Sequence, residues 1–504
     1  MLTAVATCLM AVVTPAAAAA WRPDTVTIGH TTSAEIENYV EQQASASHIP
    51  GVAVGIVQDG RPALLKGFGD AGPDTSFDLA SLSKSFTAVA IMQLVGQGKV
   101  SLDAPVTRYI PWFKIGDGRE SDSMTVLQLL DQTSGISKEA GLTELNFTST
   151  TTYGQAIRGF ERYPLTARPG MLFQYSNANY TIAGYIVQEA SGQSYESYVQ
   201  QHIFAPLGMT HTYAMTNPVR GPGYTKGYVT WFGLKVPVTD QIAAPLAPAG
   251  GIVSSASDML HYLLAQMNGG VYDGTRIVTA KAVQEMHTAL APMGPGVLPN
   301  ATSYGLGWGV GTINGTPLIV HDGQAHDFDT AMAVLPKKKT AVIVLMNQDP
   351  ELVGVPDQLY EGIMQGLTTG TFPSVSRIFF IFYALFDAIV LATLILMVRS
   401  LWRTGSWLRK FGIRARRHGF SRVAVLAIGL DLGMAALIAV GVSYGIGSLY
   451  GDVPLTPTLM MFGGPDVAVW VFALILFFAV RAIVRTVGIL AARGGSWGLT
   501  QHRS

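Results

Sequence analysis

Three apolar stretches near the C-terminal end limit the possible folds of this chain more than any other feature. Each is about 20 residues long and carries a single charged residue, and about 20 mostly apolar residues are enough to cross a lipid bilayer as a helix. A buried helix of a soluble protein can share this composition, but three such stretches in succession favour three transmembrane helices. They cover residues 378–398, 423–442 and 467–484.

The segments that flank these stretches differ in charge. Arg399–Arg422 contains eight Lys or Arg residues and no acid, whereas residues 443–466 contain two acids and no Lys or Arg. The tail after residue 484 carries three arginines. Because Lys and Arg accumulate in cytoplasmic loops, the sequence predicts a multi-pass protein of the cell membrane with a cytoplasmic C-terminus. The same rule places residues 21–376 outside the cytoplasm.

Two charges within the apolar stretches are candidates for an ion pair. At 1.5 Å per residue, Asp431 lies about 12 Å and Arg481 about 5 Å from the inner ends of their helices. A long arginine side chain can bridge this difference, and charged groups in a membrane usually face a partner inside the bundle. The alternative is that Arg481 extends to the membrane surface. The sequence leaves both interpretations open.

The N-terminal end has the pattern of a secretory signal peptide. Residues 1–20 are uncharged, and an apolar run is followed by Ala16–Ala20, which predicts cleavage before Trp21. An uncleaved anchor is the alternative, although the apolar run is short for a span. The single cysteine, Cys8, lies in this segment, so disulfides and thiol chemistry are excluded for the rest of the chain.

The zero net charge of the chain is the sum of two unlike parts. Residues 1–371 contain 20 basic and 29 acidic residues, a balance of −9, and residues 372–504 contain 13 and 4, a balance of +9. Without a basic excess in the larger part, a nucleic-acid partner is not expected. We therefore predict a signal peptide (1–20), an extracytoplasmic domain (21–371) and a membrane domain (372–504) whose partner is the lipid bilayer.

Residues 21–371, called the outer domain below, contain segments with the 3.6-residue apolar period of helices and segments with the two-residue period of strands. The outer domain begins with a helix and a hairpin, continues with helical segments, and ends with several apolar strands. This order predicts an α+β fold, in which strands from both chain ends form one sheet and helices lie between them in the chain. The predicted helices are Ala34–Ser47, Ser83–Gln97, Thr125–Leu130, Tyr180–Ala190, Tyr195–Phe204 and Ala256–Gln266. The predicted strands are Gly51–Val57, Pro62–Phe68, Leu306–Ile313, Pro317–His321, Asp329–Leu335 and Thr340–Met346.

A serine and a lysine at the start of the first long helix could act together. Ser81 and Lys84 are three residues apart, so they lie on one face of a helix and the amine can reach the hydroxyl. Lys84 is the only one of the twelve lysines with a serine three positions before it. A lysine in apolar surroundings can lose its proton and act as a base. The alternative is a capping serine beside a solvent-exposed lysine.

Two further segments contain residues that could assist catalysis. In Phe173–Asn177, the hydroxyl of Tyr175 could relay a proton and the amide of Asn177 could orient a carbonyl, although a buried tyrosine beside a turn is the simpler interpretation. In His321–Gly323, a glycine at the end of an apolar strand permits close approach of a substrate. A metal site is a second interpretation of this segment, because the side chains resemble metal ligands and cluster in seven residues: His321, Asp322, His326 and Asp327. A strand followed by a turn, however, does not obviously bring these side chains together.

Taken in this order, the three motifs resemble those of the serine β-lactamase and penicillin-binding-protein superfamily, most of all its class C-like hydrolases, which include D-alanyl peptidases and esterases. The resemblance covers about residues 30–365. His321 stands where true β-lactamases have the lysine of a Lys-Thr/Ser-Gly motif, which argues against efficient β-lactam hydrolysis. The resemblance extends to Gln132-Thr133-Ser134-Gly135-Ile136, Pro248–Ser255, Tyr304-Gly305-Leu306-Gly307-Trp308 and Met346-Asn347.

The resemblance implies a β-lactamase-like α+β domain and an acyl-enzyme mechanism without a cofactor or metal. Ser81 would attack an amide, lactam or ester carbonyl, while Lys84 and Tyr175 exchange protons; the resemblance does not say which of the two is the base. Backbone N–H groups of Ser81 and Gln324 would form the oxyanion hole. Asn177 would hold the substrate carbonyl, and His321 and Gly323 would line the opposite wall.

The sequence therefore predicts a membrane-anchored extracytoplasmic serine hydrolase. Its substrate would be a small molecule or peptide, including D-amino-acid peptides such as cell-wall precursors, esters or β-lactams. A penicillin-binding sensor, which is acylated once and signals through the helices, is the first alternative. A transporter using Asp387 and Asp431 is a second, but three spans are few for transport and the outer motifs would have no role.

Overall fold

The computed structural model describes residues 26–116, 118, 120–214, 223–238, 243–348, 355–375, 377–418, 420–441 and 465–494. The predicted signal peptide and Cys8 lie outside these residues, and so does the last residue of the predicted second span, Val442.

Helices account for the middle of the outer domain and for the C-terminal region. The six predicted helices are found, with ends that shift by a few residues. The predicted helix Tyr195–Phe204 is an α-helix as far as Val199 and a π-helix from Gln200 to Phe204. The helices are α1 (Ser33–Ala46), α2 (Ser83–Gly96), α3 (Val126–Leu130), α4 (Lys138–Leu142), α5 (Tyr153–Phe160), α6 (Asn177–Ser191), α7 (Tyr195–Val199), α8 (Ala247–Gly250), α9 (Ala256–Met267), α10 (Ala280–Met286), α11 (Val355–Thr369), α12 (Ile378–His418), α13 (Phe420–Val440) and α14 (Pro465–Gly494).

The strands form one large antiparallel sheet and several small ones. The large sheet has eight strands in the order β12-β13-β14-β15-β16-β17-β3-β4. The strands are β1 (Thr27–Ile28), β2 (Thr31–Thr32), β3 (Gly51–Gln58), β4 (Arg61–Gly69), β5 (Ser76–Asp78), β6 (Tyr213–Ala214), β7 (Gly227–Trp231), β8 (Leu234–Val238), β9 (Ile252–Ser255), β10 (Val271–Tyr272), β11 (Thr275–Arg276), β12 (Ala291–Pro292), β13 (Ala301–Tyr304), β14 (Gly309–Ile313), β15 (Thr316–Ala325), β16 (Phe328–Leu335) and β17 (Thr340–Met346).

The large sheet joins the two ends of the outer domain. β17 pairs with β3, so that Val344 lies opposite Val54. Side chains alternate between the two faces of a strand: Ala53 packs into the core that contains α2, α6 and α9, while Val54 packs into the core that contains α1 and α11. Helices thus cover both faces of a sheet built from both chain ends, which confirms the α+β prediction.

One predicted strand begins later than expected. We predicted Leu306–Ile313 as a strand, but β14 begins at Gly309, and residues 306–308 form a turn beside α2. Gly307 has a φ of +76°, and a Cβ at this position would lie 2.9 Å from the carbonyl oxygen of Lys84. The turn therefore depends on a glycine that allows both the left-handed conformation and the close approach. An alternating apolar pattern does not distinguish such a turn from a strand.

The C-terminal region has two helical stretches that are long and apolar enough to cross a membrane, Phe380–Trp407 and Asp466–Leu490. The apolar part of α13, Ala424–Val440, is shorter. Only 17% and 22% of the residues in the most apolar windows of the two long stretches are buried, which is unlike the core helix of a soluble protein. Two of the three predicted spans thus have the required length, and three crossings remain a prediction.

The basic segment between the first two predicted spans is mostly helical. α12 continues to His418 and α13 begins at Phe420, so the segment Arg399–Arg422, predicted as the loop between two spans, is helical in its described residues. The segment contains no proline and only two glycines between Arg399 and His418, and helix formation there is therefore not interrupted.

Asp431 of α13 binds two arginines of α14. Arg481 Nε donates to Asp431 Oδ1 at 2.9 Å, and Arg485 Nη1 donates to Oδ2 at 2.8 Å. Arg481 also donates to Ser400 Oγ of α12 at 3.0 Å. Of the two interpretations that the sequence left open, the structure shows the contact of Asp431 with Arg481, while Arg485, assigned to the tail from the sequence, is a second partner. This cluster connects all three helices.

Unequal effects are expected when the members of this cluster are neutralised one at a time. Asp431→Asn leaves two arginines without a counter-charge, and removing one partner of a buried pair costs about 3–5 kcal/mol. Arg481→Gln or Arg485→Gln leaves one pair intact and should cost less. The amount of protein in the membrane fraction and the unfolding temperature in detergent measure this order.

A charge exchange provides the control for this cluster. The double variant D431R/R481D places a new positive charge against Arg485, so it should not restore the protein level unless Arg485 is also neutralised. If the three single variants lose the same amount of membrane protein, or if the double variant recovers the wild-type amount, the carboxylate of Asp431 does not bind both arginines.

Candidate active site

Ser81 lies in a tight turn between a strand and a helix. β5 ends at Asp78, one 3₁₀ turn covers Ala80–Leu82, and α2 begins at Ser83. Ala80 has a φ of +45°, in the left-handed region that alanine rarely adopts. Its N–H donates to Asp78 Oδ1 at 2.8 Å, which holds this conformation. The turn leaves Ser81 half-buried at the edge of the core.

Lys84 reaches Ser81 from inside the core. Its Nζ lies 2.9 Å from Ser81 Oγ and donates to the carbonyl oxygen of Ala249 at 2.7 Å. The side chain is fully buried because α2 is surrounded by other elements along most of its length. Burial lowers the pKa of Lys84 from its ordinary value of 10.5, while the negative charges of Glu144 and Asp322 raise it. A neutral amine in this position can accept the serine proton.

Tyr175 lies beside the same two residues. Lys84 Nζ is 4.9 Å from the centroid of the Tyr175 ring, and the Ser81 side chain is close enough to the Tyr175 hydroxyl to lower its pKa slightly against the effect of burial. Gln132 holds the backbone that follows, because its Oε1 accepts the N–H of Ser176 at 3.0 Å. Burial raises the pKa of Tyr175 well above 10. The phenol therefore keeps its proton at neutral pH and is suited to donating it.

Asn177 is the first residue of α6, and its side chain contacts Glu144. Asn177 Nδ2 donates to Glu144 Oε1. Asn177 Oδ1 and Glu144 Oε2 are buried and have no hydrogen-bond partner within the described part of the chain. One amide hydrogen of Asn177 is thus used inside the protein, which leaves the other for the predicted contact with a substrate carbonyl.

Glu144 is a member of the site that the sequence did not indicate. It lies in the 3₁₀ turn Thr143–Asn146 that follows α4. Burial raises the pKa of Glu144, whereas the charge of Lys84 and the hydrogen bond from Asn177 lower it. No fixed spacing links a residue of this turn to the Ser81 motif, so only the fold brings them together. Glu144 is best described as a positioning residue that acts on the charge of Lys84.

Replacing Glu144 should change the pH dependence of the ester hydrolysis that the sequence predicts. Because the carboxylate favours the protonated form of Lys84, Glu144→Gln should lower the pKa of the amine and move the acidic limb of kcat/KM to lower pH by about one unit. A pH profile with a p-nitrophenyl ester measures the shift. Glu139→Gln, on the exposed face of α4, is the matched control; a shift in both variants, or in neither, would contradict this role.

His321 is buried, and both of its ring nitrogens are engaged. Nδ1 donates to the carbonyl oxygen of Asp322 at 2.5 Å, and Nε2 lies 3.0 Å from the hydroxyl of Tyr304. Burial lowers the pKa of His321 to about 3, so the ring is neutral. Within the described ranges, no three or more His, Cys, Asp or Glu side chains are placed to hold a metal ion. The geometry therefore does not support the alternative of a metal site with His326 and Asp327.

Gly323 brings the edge of the large sheet against the turn that carries Ser81. A Cβ at Gly323 would lie 2.4 Å from the carbonyl oxygen of Leu79 and 3.0 Å from the backbone nitrogen of Ser81, so no other residue fits without moving the strand. Thr330 Oγ1 fastens the contact by donating to Leu79 O at 2.9 Å. β14 pairs with β15 only up to Val320, which leaves the following edge open on that side among the described strands.

The predicted site residues lie together in the structure, although not all of them are in direct contact. Lys84 contacts Ser81 and lies 4.9 Å from the ring centroid of Tyr175, and the ring of His321 lies 6.3 Å from that of Tyr175. Gln324 follows Gly323 on the open strand edge, with an exposed side chain. The sequence missed Glu144 as well as Tyr304, whose role as the partner of His321 could have been sought in the Tyr304–Trp308 motif. The arrangement offers a hydroxyl, a buried amine and a phenol to one carbonyl.

Comparison with protein families and curated proteins extends this result. A family model described as Beta-lactamase matches residues 36–361. Protein flp of Staphylococcus aureus strain MW2 is 30% identical over 332 residues, which are 63% of this chain and 64% of that protein. Penicillin-binding protein 4 of Amycolatopsis lactamdurans is 27% identical over 320 residues, or 60% of this chain and 81% of that protein. The aligned part thus spans less than two thirds of the length of the flp relatives.

Solved structures share the fold of the outer domain. The octameric penicillin-binding protein homologue from Pyrococcus abyssi is 27% identical, with a TM-score of 0.57 over 66% of this chain and 78% of that chain. D-amino acid amidase from Ochrobactrum anthropi SV3 is 25% identical, with a TM-score of 0.57 over 66% of this chain and 99% of that chain. The apolar helices α12–α14 follow the residues matched by the family model.

Proposed function

The chain belongs to the Beta-lactamase family, and on that premise we propose that it is a serine hydrolase that forms an acyl-serine intermediate at Ser81. The observation that carries the proposal is the 2.9 Å distance between Ser81 Oγ and Nζ of the fully buried Lys84. Such a pair of nucleophile and base within hydrogen-bond reach is the arrangement that nucleophilic catalysis requires.

In the proposed reaction, neutral Lys84 takes the proton of Ser81 Oγ as this oxygen bonds to the carbonyl carbon of the substrate. Tyr175, which keeps its proton, donates it to the leaving nitrogen or oxygen and regains one from the Lys84 ammonium. Backbone N–H groups of Ser81 and Gln324 are the proposed donors to the oxyanion, and one such donor is worth about 3–4 kcal/mol of barrier. Water then hydrolyses the acyl-serine ester and releases the acid.

The proposed substrates are esters or amides without a carboxylate beside the reacting carbonyl. A positive charge on the wall opposite Ser81 would attract such a carboxylate, but neutral His321 supplies none, since the pKa of its ring is lowered to about 3. This favours neutral acyl esters and amino acid amides over β-lactams and peptides that end in a free carboxylate. The amidase activity in the name of the Ochrobactrum relative is compatible with this choice.

Membrane anchoring completes the proposal. Exposed apolar side chains cover the two long helical stretches, for example Leu391 (60% exposed) and Leu476 (64% exposed), and lipid is the partner that would bury them. We propose a cell-membrane protein with α12, α13 and α14 as spans and the outer domain on the extracytoplasmic side. The signal peptide belongs to the same proposal.

A turnover measurement tests the proposed function against the sensor alternative. Full-length protein in detergent is mixed with p-nitrophenyl acetate, alanine p-nitroanilide, a D-Ala-D-Ala peptide and a chromogenic cephalosporin. We expect steady release of nitrophenol or nitroaniline well beyond one equivalent per Ser81. A burst that stops at one equivalent would support a sensor instead, and faster turnover of the cephalosporin than of the ester would overturn the proposed substrate class.

A further inference from the structure

The β7–β8 hairpin (residues 227–238) connects the outer domain with the ends of two apolar helices. At its base, the N–H of Tyr228 donates to the carbonyl oxygen of Asn347, just after β17, at 3.0 Å. At its tip, the N–H of Phe232 donates to the carboxylate of Asp466 at 3.3 Å, and its ring stacks on Phe386 of α12 at 6.1 Å. The hairpin is thus held at both ends.

The tip of the hairpin lies at the level where an outer leaflet would begin. Phe386 is six residues into the apolar stretch Phe380–Trp407, about 9 Å along the helix, and it packs edge-on against Trp470 of α14 at 5.8 Å. The stretch has 28 residues, which is about 42 Å of helix, close to the thickness of a bilayer with its headgroups. Phe232 therefore lies near the boundary between headgroups and hydrocarbon.

Apolar side chains of the hairpin are exposed at this level. Leu234 is 70% exposed and Val236 is 38% exposed. Residues two apart in a strand point to the same face, so the two form one apolar surface. Lys235 points to the other face, where its Nζ donates to Thr230 Oγ1 at 3.1 Å. The only charge of the hairpin is thus kept away from this surface.

We propose that Leu234 and Val236 insert into the outer leaflet of the bilayer and make the hairpin a second, shallow membrane contact of the outer domain. Among the strands of the described residues, β8 pairs only with β7, and an apolar edge strand left in water is a site of aggregation. Because the tip is fastened to the ends of α12 and α14, lipid is the partner that this position provides. The hairpin then sets the height and tilt of the active site above the membrane. The inference rests on the proposed membrane anchoring.

Depth-dependent quenching tests this contact. In a Cys8→Ser background, Leu234→Cys is labelled with an environment-sensitive fluorophore, and the full chain is placed in phosphatidylcholine–phosphatidylglycerol nanodiscs. Quenching is compared between lipids spin-labelled near the top of the acyl chain and aqueous iodide. Leu394→Cys, in the exposed face of α12, reports on the span itself. Leu290→Cys, which is 41% exposed in the outer domain and lies away from the hairpin in the chain, is the matched control.

Insertion predicts that the spin-labelled lipid quenches the Leu234 label about twofold more than the Leu290 label, since surface-lying segments enter the bilayer by about 5–10 Å. Aqueous iodide should quench the Leu290 label more than the Leu234 label. Quenching at Leu394 but not at Leu234 overturns the hairpin contact while leaving the anchoring intact, whereas no quenching at Leu394 overturns the anchoring. A Leu234 label shielded from both quenchers would indicate a protein partner and would equally overturn the proposal. Ester hydrolysis in the same discs is recorded separately.

Discussion

Ser81→Ala is expected to abolish ester turnover, with a loss of about 10⁴-fold or more in kcat, which is the scale seen when the nucleophile of a serine hydrolase is removed. The methyl group that remains fits the half-buried turn, so folding is not affected. Lys84 Nζ then loses the hydroxyl oxygen of Ser81 and keeps its hydrogen bond to the buried carbonyl of Ala249. Labelling by a fluorophosphonate should disappear in parallel with turnover of the p-nitrophenyl ester.

Ser85→Ala is the matched control for this variant. Ser85 lies one residue beyond Lys84 on α2 and is fully buried, and its Oγ donates to the carbonyl oxygen of Leu82 at 2.8 Å. Removing this hydroxyl costs a local hydrogen bond, about 1 kcal/mol of stability, but it leaves the reacting groups in place. Undiminished turnover in Ser81→Ala, or an equal loss in Ser85→Ala, would rule out Ser81 as the nucleophile.

Local spacing made part of the site readable from the sequence. Ser81 and Lys84 could be paired because three residues on a helix fix their distance, whereas helical rise made the pairing of Asp431 with Arg481 only one of two open interpretations. Six of the eight strands of the large sheet could be predicted from apolar or alternating runs, and the placement of strands at both chain ends predicted that they form one sheet; the order of the strands was not predicted. For Ser81 and Lys84, a short-range regularity determines the geometry.

Interactions between distant elements were not readable. Glu144 and Asn177 are 33 residues apart in the chain. Tyr304 and His321 lie on β13 and β15, which are separated by β14 in the sheet. Neither contact follows from a periodicity. The neutral state of His321 is also a result of burial, which a motif does not reveal. Gly307 shows the converse case, because a pattern that favours a strand gives way to a turn where the backbone must approach Lys84.

The pH dependence of acylation is expected to follow the neutral form of Lys84. Burial lowers the pKa of Lys84 to about 7, so the neutral fraction, and with it kcat/KM, should rise as the pH increases through about 7 and level off above it. An exposed lysine with the ordinary value of 10.5 would be neutral in only about one molecule in 3,000 at pH 7. Tyr175 cannot supply this limb, since burial raises its pKa well above 10.

Two substitutions at Lys84 separate charge from packing. Lys84→Met keeps an unbranched apolar side chain in the core and removes the base, and Lys84→Arg keeps a permanent charge; both should lose about 10²–10⁴-fold in kcat/KM and the rising limb with it. The measurement is kcat/KM for a p-nitrophenyl ester between pH 5 and pH 9, together with thermal unfolding to show that the variants are folded.

Lys235 provides a control for the assignment of this limb, because burial lowers its pKa to about 7 as well. Its ammonium lies in the β7–β8 hairpin, where it donates to Thr230 rather than to Ser81. Lys235→Met should therefore leave the pH profile of ester hydrolysis unchanged. If the limb persists in Lys84→Met and vanishes in Lys235→Met, the base is not Lys84, and the distance between Lys84 and Ser81 would have to be explained by structure alone.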